Sequence, residues 1–468
     1  MKNKVIYIWG GVEKFLPEGL YLITNIILAR YLTPQDFGTV GVLAVFIAIA
    51  GILTDSGLGG SLVKEHTITK LDCSTVFVFN LIISLTIYVF LFVCAPYIEG
   101  FYKIPDLKII TRYLCLIFVI NSIGLVPKSL LIKELKFKKI AISSLCGITI
   151  ASIFSFIGCY LNLGVYVLVI FQLSCSIITT TSLLLLSKYS ISFKFSYTSF
   201  RKLVSFGVFS TICGVIDSIY ENVLSVLFGK FINAKFVGYY DQAKKLERGS
   251  ASSVSTALNN VSFPILSKLK KYNSEFTQES FKILKFSIIT FFPLLSIISI
   301  YSDYIVILLF GEKWYQSSPI LSILMINGMV FMIESNIRNN IKSLGNVKQL
   351  ALMTAIKRII GIAVIMSFML ISKYAMIYGL VASTFVGVLV NVMLFCKLTN
   401  IKFINYIIIL IKIIFPTVLF YLICLLCKSS IPYQLSYSLA LSIGLLITYY
   451  YIMYRNSINY YIKKILNK

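Results

Sequence analysis

The side chains with the most chemistry to offer stand in "YYDQAKKLERGSASSVSTALNN", residues 239–260. Asp241, Lys244 or Lys245, Arg248, Ser252, Ser255 and Asn259 recur there at helical spacing, so a helix carries them as one polar stripe. Lys244, Lys245 and Arg248 make the stripe cationic, which selects an anionic ligand, most simply one carrying phosphate. Arginine presents a fork to phosphate oxygens and lysine a point charge. Just upstream, Asp217 and Glu221 stand one turn apart on one helical face. Further ionisable residues interrupt apolar runs: Glu13, Lys14 and Glu18, then Asp55, Lys128, Glu334, Arg338, Lys357 and Arg358. Glu334 and Arg338, at i and i+4, have the option of neutralising each other, and Lys357 and Arg358 that of snorkelling from a helix end. The cation candidates for an anionic substrate are therefore Lys244, Lys245, Arg248, Arg338, Lys14 and Lys128. Asp217, Glu221, Glu18, Asp55 and Glu334 are candidates for taking H+ or Na+, with plain counter-ion duty as the alternative.

The elements that hold these residues are long apolar helices. Of 468 residues, 58% are hydrophobic and only 13% charged, more apolar surface than a soluble core buries. Runs of about 20 apolar residues, each enough to cross a roughly 30 Å hydrocarbon layer, recur along the chain. The sequence predicts an all-α polytopic membrane protein with about fourteen spans. They are centred on 9–32, 38–63, 75–98, 109–132, 140–160, 163–187, 203–228, 236–264, 283–310, 317–341, 350–371, 375–396, 404–427 and 432–454. Arg248 then lies about 18 Å into its span at 1.5 Å per residue, near mid-membrane. A charge there costs roughly 2.5–3.5 kcal/mol and persists where it faces a partner or a wet cavity.

The net charge of +25 is not a nucleic-acid signature, because lysine and arginine collect in alternate loops. That bias places both termini in the cytoplasm. The basic stretches 133–139 and 268–285 then face anionic lipid. Without an apolar core and cleavage site near "MKNKVIYIWGG", the first helix is expected to remain as an anchor. The longest soluble pieces, 187–202 and 265–282, are too short to house a catalytic domain, and no glycine-rich phosphate loop follows a strand. Ten scattered cysteines and one histidine, His66, make no metal or redox constellation; Cys424 and Cys427 form a lone CxxC inside an apolar helix. No catalytic residue, metal or cofactor is expected.

The sequence also repeats itself. "RYLTPQDFG" matches "KFINAKFVG" at a spacing of 200, with Gly38 against Gly238. Asn121 falls near Asn327 and Tyr166 against Tyr378 in two later matches. The offset equals six spans, an even number, so both copies share one orientation in the membrane. Three parts are expected: an N-terminal six-helix lobe at 1–187, a second at 188–400, and two added helices with a tail at 401–468. In such parallel repeats the substrate path runs between the lobes.

"LARYLTPQDFGTVGV" followed by "DSGLGGSLVK" resembles the first helical hairpin of the Wzx-type polysaccharide repeat-unit flippases. These belong to the multidrug/oligosaccharidyl-lipid/polysaccharide exporter superfamily. "GVIDSIYENVLSVLFGKFINAKFVGYYDQAKKL" and "LLFGEKWYQSSPIL" resemble two passages of the second lobe, and the resemblance spans most of 9–400. It implies a V-shaped pair of lobes around a central cavity, in the bacterial cytoplasmic membrane. It also implies movement of undecaprenyl-pyrophosphate-linked oligosaccharide to the outer leaflet, for O-antigen, capsule or exopolysaccharide. The implied partners are that lipid-linked substrate, membrane lipids, and the polymerase and glycosyltransferases of the same assembly. Other readings are a peptidoglycan lipid II flippase, a multidrug antiporter and, from another class, an O-antigen polymerase or ligase. The last would need a large external loop with catalytic Arg or His.

Overall fold

The computed structural model describes residues 2–55, 57–65, 67–430 and 435–466; His66 and the opening of the last expected span lie outside the described residues. All regular structure among the described residues is helical, as lipid demands of a chain whose backbone polar groups have no water to bond. The first helices are α1 (Lys2–Tyr31), α2 (Pro34–Gly41), α3 (Ala44–Asp55), α4 (Leu58–Lys64) and α5 (Lys70–Tyr102). Then come α6 (Leu107–Leu114), α7 (Leu116–Lys133), α8 (Phe137–Tyr160), α9 (Tyr166–Ser187) and α10 (Tyr197–Phe231). The charged segment is α11 (Ala234–Glu247) and α12 (Ser253–Leu269) joined by a π turn, Arg248–Ser252. After it follow α13 (Asn273–Ile300), α14 (Ser302–Phe310), α15 (Ser317–Ser343) and α16 (Val347–Met369). The last are α17 (Ala375–Thr399), α18 (Phe403–Ser430) and α19 (Leu435–Leu466).

Within the described residues, each of the fourteen expected spans falls on a helix or a run of consecutive helices. Among the described residues ten such segments are long and apolar enough to cross a membrane. Outside those ten stand α1, α10 and the α11–α12 segment, which carry most of the intramembrane charges, and α19. The stretch 265–282 is largely helical: α12 runs on to Leu269 and α13 starts at Asn273.

The chain divides into two compact units, Met1–Asp241 and Gln242–Lys468. In the first, α1, α8 and α9 pack together, with Thr24 and Ser152 hydroxyls 2.8 Å apart, while α10 packs on α3, α4 and α5. The repeated turn lies here, and both copies start a helix in the same way. Thr33 Oγ1 accepts from the Asp36 amide at 3.3 Å while Asp36 Oδ2 accepts from the Thr33 amide at 2.8 Å, a reciprocal cap. Two hundred residues on, Asn233 Oδ1 accepts from the Phe236 amide at 2.8 Å. The two copies then cross at their glycines. A Cβ on Gly38 would stand 1.6 Å from the Ala234 carbonyl oxygen, and one on Gly238 1.8 Å from that of Pro34. No other residue fits either position without separating the backbones.

The second unit is built around α15, which packs against α12, α13, α16 and α17. Its polar side chains are spent on neighbouring helices, with Thr384 of α17 donating to Asn327 at 2.8 Å. The repeat shows here too. Ser299 and Ser322 link α13 to α15 at 3.1 Å, as Ser84 and Ser122 link α5 to α7 at 3.1 Å in the first unit. The added helices pack on α13 and are bonded just beyond its end: Tyr301 meets Ser442 of α19 at 2.8 Å, and Lys428 of α18 reaches Asp303 of α14 at 2.9 Å. Cys424 is buried, and neither it nor Cys427 is in a disulfide.

Candidate cation-bearing site

The expected cationic stripe is present but does not run straight. Lys244 and Lys245 are half-buried near the end of α11, and Arg248 and Gly249 are exposed at the start of the π turn. In that turn the Ser253 amide bonds back to the Arg248 carbonyl, five residues away rather than four. One extra residue is thereby inserted, and the helix beyond it is out of phase with the helix before it. Ser252, Ser255 and Asn259, expected on one face with Arg248, do not share its exposure. Ser255 is buried, and Asn259 donates to Ser335 Oγ of α15 at 2.7 Å. Asn339 of α15 returns a bond to Ser262 Oγ at 2.9 Å. Glu247, Ala251, Ser255, Asn259, Ser262 and Leu266 thus make a seam toward α15, while exposure passes from Arg248 and Gly249 to Thr256 and Asn260.

The turn is held from both sides. Ser250 Oγ donates to the Leu246 carbonyl at 2.8 Å, and Ser252 Oγ donates to Glu247 Oε1 at 3.2 Å. Gly328 of α15 lies against it; a Cβ there would stand 2.6 Å from Ala251 Cβ and 3.3 Å from Glu247 Oε1. Glu247 is only 7% exposed. A hydroxyl and a missing side chain therefore lie against a buried carboxylate whose neighbour in sequence, Arg248, is exposed.

Two other groups of candidates meet within a unit. In the first, Lys128 of α7 lies within electrostatic reach of Asp55, whose carboxylate sits against Gly59 at the start of α4. In the second, Glu334 does not rely on Arg338. Lys357 of α16 contacts its Oε1 directly, both partners being buried, while the Arg338 guanidinium lies 5.9 Å over the Phe331 ring. Arg338 and Arg358 both remain within electrostatic reach of the carboxylate. Lys357 does not snorkel to a helix end. It was absent from the candidate set, although a positional signal existed: Glu334 stands eleven residues before Gly345 and Lys357 twelve after it, so a helical hairpin folding at Gly345 brings them level. Asp217 is half-buried and Glu221 exposed one turn later on α10; on α1, Lys14 is half-buried and Glu18 exposed.

A multi-pass, all-helical membrane protein with a duplicated turn and a cation-bearing, π-broken helix is the class defined by these features. The chain belongs to the family described as polysaccharide biosynthesis protein, whose model matches residues 27–319, well over half of it. It is 25% identical over 335 residues to the teichuronic acid biosynthesis protein TuaB of Bacillus subtilis (strain 168), covering 69% of this chain and 67% of that one. The lipopolysaccharide biosynthesis protein WzxC of Escherichia coli (strain K12) is also 25% identical over 335 residues, covering 69% of this chain and 66% of its own. In fold the chain is similar to the lipid II flippase MurJ in an inward closed conformation. The TM-score is 0.76 at 16% identity, over 96% of this chain and 99% of that one.

Proposed function

We propose that this protein carries lipid-linked oligosaccharide units from the inner to the outer leaflet of a bacterial cytoplasmic membrane, for assembly of a surface polysaccharide. It acts as a transporter and not as an enzyme, crossing the membrane fourteen times with both termini in the cytoplasm. The observation that supports this reading is that Lys244, Lys245 and Arg248 stand at the π turn between α11 and α12, in a chain of a polysaccharide biosynthesis family. Those cations hold the pyrophosphate of the polyprenyl-linked headgroup, with Lys14, Lys128 and Arg338 as further contacts along its course. Asp217, Glu221, Glu18 and Asp55 are the carboxylates proposed to take H+ or Na+ and drive the cycle. Glu334, engaged by Lys357, is bound into the second unit.

Losing one charge-assisted contact to a phosphate removes roughly 1.5–3 kcal/mol, about ten- to a hundredfold in rate where the contact serves the rate-limiting step. Vesicles reconstituted with the protein and a fluorescent polyprenyl-pyrophosphoryl oligosaccharide measure that rate directly. Arg248→Ala, and Lys244→Ala with Lys245→Ala, should slow flipping by at least tenfold at equal protein abundance. Wild-type rates in both variants would sink the proposal. Rescue of a cell depleted of its lipid II flippase would redirect it to peptidoglycan precursor.

A further inference from the structure

We propose that Glu247 is a positioning residue, and that the π turn it braces turns Arg248 out of the seam to which an unbroken helix would assign it. The inference rests on the reading that Arg248 meets an anionic headgroup, but its geometric part is separately testable.

In an uninterrupted α-helix successive residues advance by about 100°. The seam of α12 runs back through Asn259 and Ser255 to Ala251 and Glu247, each four residues from the next. Arg248 and Ser255 are seven residues apart, about 700° or nearly two full turns of an unbroken helix, which would put both in the seam; yet Ser255 is buried and Arg248 exposed. The extra residue of the π turn lets the helix before it and the helix after it each choose a face. After the turn, Asn259 and Ser262 meet Ser335 and Asn339 of α15; before it, the Lys244–Arg248 segment is freed from that register. Glu247 fixes where the change of phase falls. Its Oε1 accepts from Ser252 Oγ across the turn, and its side chain abuts Gly328, where any larger residue would collide with Ala251 and press on the carboxylate. Ser250 adds a second brace by donating to the Leu246 carbonyl.

The experiment uses the full-length chain with its native cysteines replaced, in membrane vesicles opened to reagent on both sides. Cysteine is placed singly at Arg248 or at Ser255, and its reaction with a small water-soluble thiol reagent is timed. The cysteine at 248 should react at least tenfold faster than the one at 255. Deleting Gly249, which restores α-helical phase, should abolish that difference. Glu247→Leu should reduce it at least fivefold, whereas Glu247→Gln, which still accepts from Ser252, should leave it within twofold. Gly328→Ala, a single added methyl, should act in the direction of Glu247→Leu. An unchanged 248-to-255 ratio in the deletion and in Glu247→Leu would overturn the positioning role, even if those variants flip poorly. If the ratio collapses as expected while flipping by the Arg248-containing forms stays at the wild-type rate, positioning stands and the headgroup-binding reading fails.

Discussion

Removing Lys357 while leaving Glu334 should be among the most damaging conservative changes in the second unit. The two side chains contact directly, Glu334 is 2% exposed and Lys357 5%, so neither has water to fall back on. Breaking a buried ion pair from one side costs about 3–5 kcal/mol, because the remaining charge keeps its desolvation penalty without its partner. The surroundings make the two sides unequal. Lys357→Met leaves a carboxylate still in reach of Arg338 and Arg358, so its cost should lie near the lower figure, about 3 kcal/mol. Glu334→Gln removes the carboxylate and leaves Lys357 buried beside two further cations, so it should cost about 4–5 kcal/mol. Replacing both with methionine removes both penalties and fills the same space, so the double variant should return to within about 1–2 kcal/mol of the parent. Equilibrium unfolding in mixed micelles by titration with sodium dodecyl sulfate reads all four forms, and the double-mutant cycle isolates the coupling. Single variants each within 1 kcal/mol of the parent, with effects that simply add, would refute the reasoning.

The glycine crossing gives a second expectation. Gly38→Ala and Gly238→Ala each drive a methyl into a backbone carbonyl, which cannot rotate away, and each should lose at least about 1–3 kcal/mol in the same titration. Loss below 0.5 kcal/mol would mean the contact is not held. Thr33→Ala and Asn233→Ala each remove an N-cap and should each cost about 1 kcal/mol, while Thr33→Asn and Asn233→Thr should be nearly neutral by the same measurement. The Lys428–Asp303 pair is partly exposed, and Lys428→Ala should shift stability by less than about 1 kcal/mol in that titration; a loss near the Lys357→Met value would contradict its reading as an open ion pair.

What was legible in the sequence follows from what has a one-dimensional signature. Apolar runs long enough to span lipid must be helices, and among the described residues ten helical segments are long and apolar enough to do so. The spacing of 200 that matches Gly38 to Gly238 is likewise written in order along the chain. The π turn is not, because reading a stripe from residue spacing assumes 3.6 residues per turn and so carries the phase straight through it. That assumption put Ser255 and Asn259 with Arg248, whereas α15 holds Asn259 on its own side. The Glu334–Lys357 pair was missed for a related reason. Within one helix the i+4 partner is the nearest charge on paper, but Arg338 lies over Phe331 and the partner that arrives comes from the next helix. That the two copies of the turn touch each other is a tertiary fact, and no spacing along the chain encodes it.

The contact between the copies nonetheless constrains how they can diverge. At Gly38 the space a side chain would take is filled by the carbonyl of Ala234, and at Gly238 by that of Pro34. Each glycine answers the other copy's backbone, so a larger residue in one copy cannot be offset by a smaller one in the other. Six residues beyond the glycines that constraint ends. At a spacing of 200, Lys244, Lys245 and Arg248 stand where the first copy has Ala44, Val45 and Ala48. The helical path is also broken differently: the first copy has a turn at Val42 and Leu43, ahead of α3, whereas the second stays α-helical to Glu247 and then widens into the π turn. The later break leaves Gly238, Lys244 and Lys245 on one helix, α11. Lys244 sits less than two turns from Gly238 within α11, at 3.6 residues per turn. Gly238 and the two lysines belong to α11, and the π turn that carries Arg248 begins where that helix ends.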